Sequence, residues 1–220
     1  MRTLLLTLTL ICSIQLFGQT TPKFDLTAYI HEVQIWDKQD NNMALTWWIP
    51  LSYWRMSLEG SPQVTPEVID QVEQAFENYV VICALDLYIN PDGSMRYTSE
   101  QELRKTLSVE DSTGNQYYPL TNARLSAEAL SFSEAIKPMF AQMLGQLGKG
   151  MAFYFFEIKD NDGNNVFNEF EEGKLIVKHS ARTFTYNLPL VVLLPPKHCP
   201  VDGEEMKGNW NYCPIHGAKL

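Results

Sequence analysis

Apolar and polar residues recur with two periods along the chain, and the change from one to the other marks out the elements. Ala28 to Asp37 sets Ile30, Val33 and Ile35 among polar neighbours and predicts a first strand, with a turn at Asp40-Asn41-Asn42. Ala44-Leu45-Thr46-Trp47-Trp48-Ile49 predicts a second strand, stopped by Pro50, and Leu51 to Leu58 a short helix ending at Gly60. Thr65-Pro66-Glu67 is a helix start: a capping hydroxyl, proline at the first helical position and an acid facing the dipole. Val68, Ile69, Val72, Phe76 and Tyr79 then follow at helical spacing.

Val80 to Asn90 is the clearest strand, closed by Pro91-Asp92-Gly93. Ser99-Glu100-Gln101-Glu102 reads as a capping box opening a short helix to Thr106. Ser112-Thr113-Gly114-Asn115 joins Val109-Glu110-Asp111 to Gln116-Tyr117-Tyr118 as a hairpin. Ser126 opens a long helix whose Ile136, Met139, Phe140, Met143, Leu144 and Leu147 share a face, with Pro138 expected to kink it and Gly148 and Gly150 to end it. Met151 to Ile158 is an aromatic strand, and Leu175-Ile176-Val177 and Thr183 to Leu190 pair across Ser180-Ala181-Arg182. Strands joined by hairpins, with helices inserted and not alternating one for one, predict an α+β fold. The expected body is an antiparallel β-sandwich with inserted helices over residues 19–194, followed by a small tail.

Before that body, Arg2 precedes an apolar run from Thr3 to Leu10, and Phe17-Gly18 closes the segment. A positive start, a short apolar stretch and a small final residue predict a secretory signal peptide over residues 1–18. Ile11 stands before Cys12 where a lipoprotein signal needs a small residue, so lipidation is not expected. No later run reaches about 18 apolar residues, so no membrane span is expected after it. The expected location is periplasmic or extracellular, following export across the inner membrane.

Composition narrows the function. The 220 residues are 45% apolar and 20% charged, an ordinary globular balance, and 26 acidic residues against 17 Lys and Arg leave a net charge of −9. Nucleic acid is excluded as a partner, because neutralising phosphates needs a basic face. Linear catalytic signatures are absent: no nucleophile elbow, no phosphate-cradling glycine loop and no His-Glu-x-x-His. His31 and His179 read as ordinary surface residues, Glu169, Glu171 and Glu172 as a solvated loop, and the run from Asp160 to Asn165 as a polar turn.

The cysteines carry the remaining chemistry. Cys83 lies in Val80-Val81-Ile82-Cys83-Ala84-Leu85 and reads as a small buried hydrophobe. Residues 195–220 form a separate segment, opened by the stiff Pro195-Pro196 linker, and residues 198–220 contain an internal repeat, Cys199-Pro200-Val201-Asp202-Gly203 and Cys213-Pro214-Ile215-His216-Gly217. Ligands at i and i+3 can face one ion when the backbone turns tightly, and two such turns supply the four ligands of a tetrahedral Zn²⁺. Trp210 and Tyr212 stand where an aromatic can cover such a site.

The doubled Cys-Pro-x-x-Gly with its Trp-x-Tyr arm resembles a zinc ribbon, over about 20 residues. That resemblance implies a structural Zn²⁺ on Cys199, Asp202, Cys213 and His216. Asp202 and His216 depart from the family, in which a second Cys normally closes each turn. Aspartate is a hard ligand for a borderline-soft ion, so His198 is an alternative fourth ligand. A Cys199–Cys213 disulfide is the competing expectation, favoured by an oxidising compartment. The rest of the chain, by Leu45-Thr46-Trp47-Trp48-Ile49-Pro50 and by Leu188-Pro189-Leu190 up to Pro195-Pro196, resembles secreted bacterial proteins of unassigned function.

The functional expectation is an exported, non-enzymatic protein whose body binds an unknown protein or small-molecule ligand and whose tail holds zinc. Two alternatives stay open. One is a secreted hydrolase without a linear motif; the other is a carbohydrate-binding module stacking sugars on Trp47, Trp48 and Trp54.

Overall fold

The computed structural model describes residues 25–220, apart from residues 60, 62–63, 160–162 and 164 and the side chains of Phe140 and Met143. The expected signal segment 1–18, Gly60 and most of the polar turn between Asp160 and Asn165 therefore lie outside the described residues.

The chain begins with α1 (Leu26–Val33), β1 (Gln34–Gln39), β2 (Asn42–Ile49), α2 (Leu51–Leu58), α3 (Pro66–Phe76), β3 (Tyr79–Ile89) and β4 (Met95–Tyr97). It continues with α4 (Glu100–Thr106), β5 (Ser108–Glu110), β6 (Gln116–Tyr117), α5 (Ala127–Leu144), β7 (Ala152–Glu157), β8 (Gly173–His179) and β9 (Arg182–Leu188). Two short strands, β10 (Lys197–His198) and β11 (Glu205–Met206), finish it. The fold is α+β, and every strand pairing is antiparallel.

One sheet has the order β1-β2-β3, with β4 and β7 sharing the far edge of β3: β7 pairs with residues 79–84 and β4 with residues 87–89. The second has the order β6-β5-β8-β9. Register assigns the faces of the larger sheet. Trp47, opposite Cys83, meets Tyr53 of α2 edge-on at 5.8 Å, and Phe155, opposite Val81, stacks on Phe76 of α3 at 6.1 Å. The neighbouring residue Trp48, opposite Ile82, meets Tyr186 of β9 at 5.8 Å. Helices thus cover one face and the smaller sheet the other, a sandwich with a helical outer layer.

That layering corrects the reading of the tryptophans. Successive strand side chains point to opposite faces, so an open sheet would leave one of Trp47 and Trp48 in water. Here both faces are covered, and Trp47, Trp48 and Trp54 are all at most 5% exposed. Sugar stacking on these rings loses its surface.

Three further expectations change. The first strand begins later, because Asp25 caps a helix by accepting the N–H of Ala28 at 3.0 Å, and Leu26, Tyr29, Ile30 and Val33 fall on one helical face. On α3, Ile69, Val72 and Phe76 are buried with Ala75, whereas Val68 is exposed and Tyr79 already belongs to β3. On α5, which runs through Pro138 and stops at Gly145, Ile136 and Leu144 pack on the core but Met139 is exposed.

Candidate metal centre

The two Cys-Pro turns repeat in structure as they do in sequence. The N–H of Gly203 donates to the carbonyl of Cys199 at 2.8 Å, and the N–H of Gly217 to that of Cys213 at 2.8 Å. Cys199 donates its own N–H to the carbonyl of Glu204 and Cys213 to that of Ala218, at 2.9 and 2.7 Å. Both glycines are left-handed, with φ of +77° and +65°, which an L side chain adopts only at a cost. Each turn thereby folds the fourth residue back over the sulfur of the first.

Four side chains converge between the turns. Nδ1 of His216 lies 3.4 Å from Sγ of Cys199 and 3.6 Å from Sγ of Cys213. Oδ2 of Asp202 is 3.6 Å from the same Nδ1. The donor atoms of Cys199, Cys213 and His216 all lie within 4.8 Å of one another, and both thiols are free. Zinc–sulfur bonds of ~2.3 Å and zinc–nitrogen bonds of ~2.0–2.1 Å place sulfur and nitrogen about 3.5 Å apart on a tetrahedral edge. The observed spacings match that edge, so the residues present fit a tetrahedral ion.

Backbone groups tune the converging side chains. Burial pushes the Cys199 thiol up, whereas at Cys213 the same burial is outweighed by the N–H groups of His216 and Ile215, which lower it. The N–H of His216 reaches Sγ of Cys213 at 3.4 Å. Asp202 is held below the usual carboxylate range, first by the N–H of Glu204 on Oδ1 at 3.0 Å, then by the Cys199 side chain. Oδ2 is the oxygen nearer the imidazole.

No family model, curated protein or solved structure matches the chain.

His198, the alternative ligand, is exposed on β10, where its partner is Glu205. It directly precedes Cys199 but is not among the donors that lie within 4.8 Å of one another there. Cys199, Met206 and Cys213 form the buried centre of the tail, with Trp210 and Leu220 packed on it. Tyr212, expected to cover the site beside Trp210, is exposed instead. The tail is tied to its linker: Nζ of Lys197 donates to the carbonyl of Trp210 at 2.7 Å. Gly208 lies so close that a Cβ there would sit 2.6 Å from both Cβ of Leu194 and the carbonyl oxygen of Pro195.

Two groups that the sequence suggested were surface residues carry structural roles in the body. His179 is 1% exposed, with Nε2 2.9 Å from Oγ1 of Thr46 and its ring stacked on Phe184. Its place was legible from the alternation Leu175, Val177, His179 on the buried face of β8. Glu169 is half-buried and accepts the N–H of Ser52 at 3.2 Å, at the start of α2. Cys83 is buried as expected, and burial pushes its thiol up. Among the described residues, no helix is long and apolar enough to cross a membrane.

Proposed function

We propose that the tail is a structural zinc module, with Zn²⁺ held by Cys199, Cys213, His216 and Asp202, on an exported, non-enzymatic protein whose sandwich body binds a partner or ligand. One observation carries the zinc assignment: nitrogen–sulfur spacings of 3.4 and 3.6 Å between side chains from two hydrogen-bonded turns of the same form. A bound zinc would cross-link the turns. The tail needs that link, because its own core is only Cys199, Met206 and Cys213 with Trp210 and Leu220 around them. Four protein ligands leave no open position, which favours a structural over a catalytic ion.

For the body, support is coarser. Two of its clefts, each about 400 Å³, are polar or mixed: one by Asn42, Asp86, Tyr88, Arg96 and Thr98, another by Gln71, Gln74, Asn78 and Glu128. The buried His179 is enclosed between sheets and faces no substrate, so it gives the hydrolase alternative no support.

Elemental analysis of the purified chain, paired with a free-thiol titration, tests the zinc assignment. One zinc per chain, with Cys199 and Cys213 titrating only after chelation, is the expected result. A Cys199–Cys213 disulfide without metal overturns it.

A further inference from the structure

The four converging side chains are not equally placed. Cys199 and Cys213 are 2% and 1% exposed, while the side chains of Asp202 and His216 are 37% and 31% exposed. The sulfur edge of the site therefore faces the tail interior and the oxygen–nitrogen edge faces water. Nδ1 of His216 is within 3.6 Å of both sulfurs, and these three donors form the tight set. Asp202 lies outside that set, beside His216 on the exposed edge, with Oδ2 3.6 Å from Nδ1. Its Oδ1 accepts the N–H of Glu204, and Oδ2 is the oxygen beside the imidazole, which favours a single oxygen on the ion. A monodentate, hard oxygen is the weakest bond a borderline-soft ion makes in such a set, and imidazole nitrogen suits zinc better.

We propose that Asp202 is the replaceable ligand of this site, and that the metal accepts a small imidazole-bearing molecule from solvent in its place. This rests on the zinc assignment and adds to it a binding position. The exchange is a ligand substitution: the Oδ2–metal bond breaks, a nitrogen–metal bond forms, and the freed carboxylate keeps its charge in water. Its Oδ1 stays anchored on the N–H of Glu204, so the turn need not unfold when Oδ2 lets go.

Cobalt(II) in place of zinc makes the exchange visible, because its visible bands report the donor set. The full chain is loaded with Co²⁺ and titrated with imidazole, alongside Asp202→Cys and Asp202→Ala. Wild type is expected to show a saturable band shift. Asp202→Cys, whose fourth ligand is a firm sulfur, is expected to show none, and Asp202→Ala to saturate at lower imidazole than wild type, having no carboxylate to displace. Thiolate-to-cobalt charge transfer that imidazole leaves unshifted in wild type and Asp202→Ala overturns the replaceable ligand while leaving the metal site intact. An equal shift in wild type and Asp202→Cys also overturns it, since imidazole would then bind without displacing residue 202. Absence of any thiolate-to-cobalt charge transfer in wild type overturns the metal site itself.

Discussion

Nδ1 of His216 lies 3.4 Å from Sγ of Cys199, across seventeen residues of chain, and 3.6 Å from Sγ of Cys213 on its own turn. The buried centre between the turns is small, Cys199, Met206 and Cys213 with Trp210 and Leu220 packed on it, so a zinc ion bound there would be the main cross-link of the tail.

Removing one sulfur should therefore release the tail and spare the body. Cys213→Ser is expected to lose the bound zinc and make residues 198–220 protease-sensitive, while the thermal transition of the sandwich is retained. Limited proteolysis with mass spectrometry reads both. An unchanged cleavage pattern in the tail would contradict the role given to Cys213.

The body should show acid sensitivity traceable to His179. Burial, outweighing the attraction of Asp86 and aided by Arg182, pushes its pKa down to about 4 from 6.5. Arg182 itself is held by Asp37, Asp86 and Asn42. Between those pH values the unfolded chain binds the extra proton and the folded one does not. Stability from this group is thus complete above pH 6.5 and falls as pH drops towards 4, by about 3 kcal/mol in total. Urea midpoints measured across that range should fall more steeply for wild type than for His179→Gln. Parallel curves would mean that His179 titrates normally.

Much of this fold was legible in the chain, and the misses have physical causes. The helix Leu51–Leu58, the capping box at Ser99 and Glu102, and the hairpin around Ser180 follow local rules that tertiary packing did not overturn. The start of the chain misled because Ile30, Val33 and Ile35 fit a strand, while Leu26, Tyr29, Ile30 and Val33 fit a helix and the Asp25 cap decides between them. Burial of both Trp47 and Trp48 needed knowledge that a second sheet and a helical layer cover opposite faces, which no local pattern carries. At the tail, the doubled motif announced the convergence of Cys199, Cys213 and His216. The asymmetric exposure that turns Asp202 and His216 to water and the sulfurs inward, and the place of Asp202 outside the tight set, needed coordinates.

Glu32 links α1 to the segment leading into the tail. Its Oε1 and Oε2 accept the N–H groups of Val191 and Val192 at 2.5 and 2.9 Å. Glu32→Ala leaves two partly buried donors without acceptors and should cost about 1–3 kcal/mol. Hydrogen exchange at Val191 and Val192 should quicken by the matching factor; unchanged exchange would show that water replaces the carboxylate without loss.

The tight turn between β8 and β9 stores strain that a glycine would relieve. Ser180 and Ala181 have φ of +50° and +59°, a region costly for a residue with Cβ. Ala181→Gly should stabilise the body by about 0.5–1 kcal/mol, after the greater freedom of glycine in the unfolded chain is set against the relief. A raised urea midpoint at constant slope is the expected reading, and a lowered midpoint would contradict the strain.

X-ray absorption at the zinc edge of the loaded chain tests the tail most directly. Two sulfur neighbours at ~2.3 Å with two nitrogen or oxygen neighbours at ~2.0–2.1 Å are predicted. A shell of light atoms alone, with no sulfur, would contradict a zinc ion held between Cys199 and Cys213.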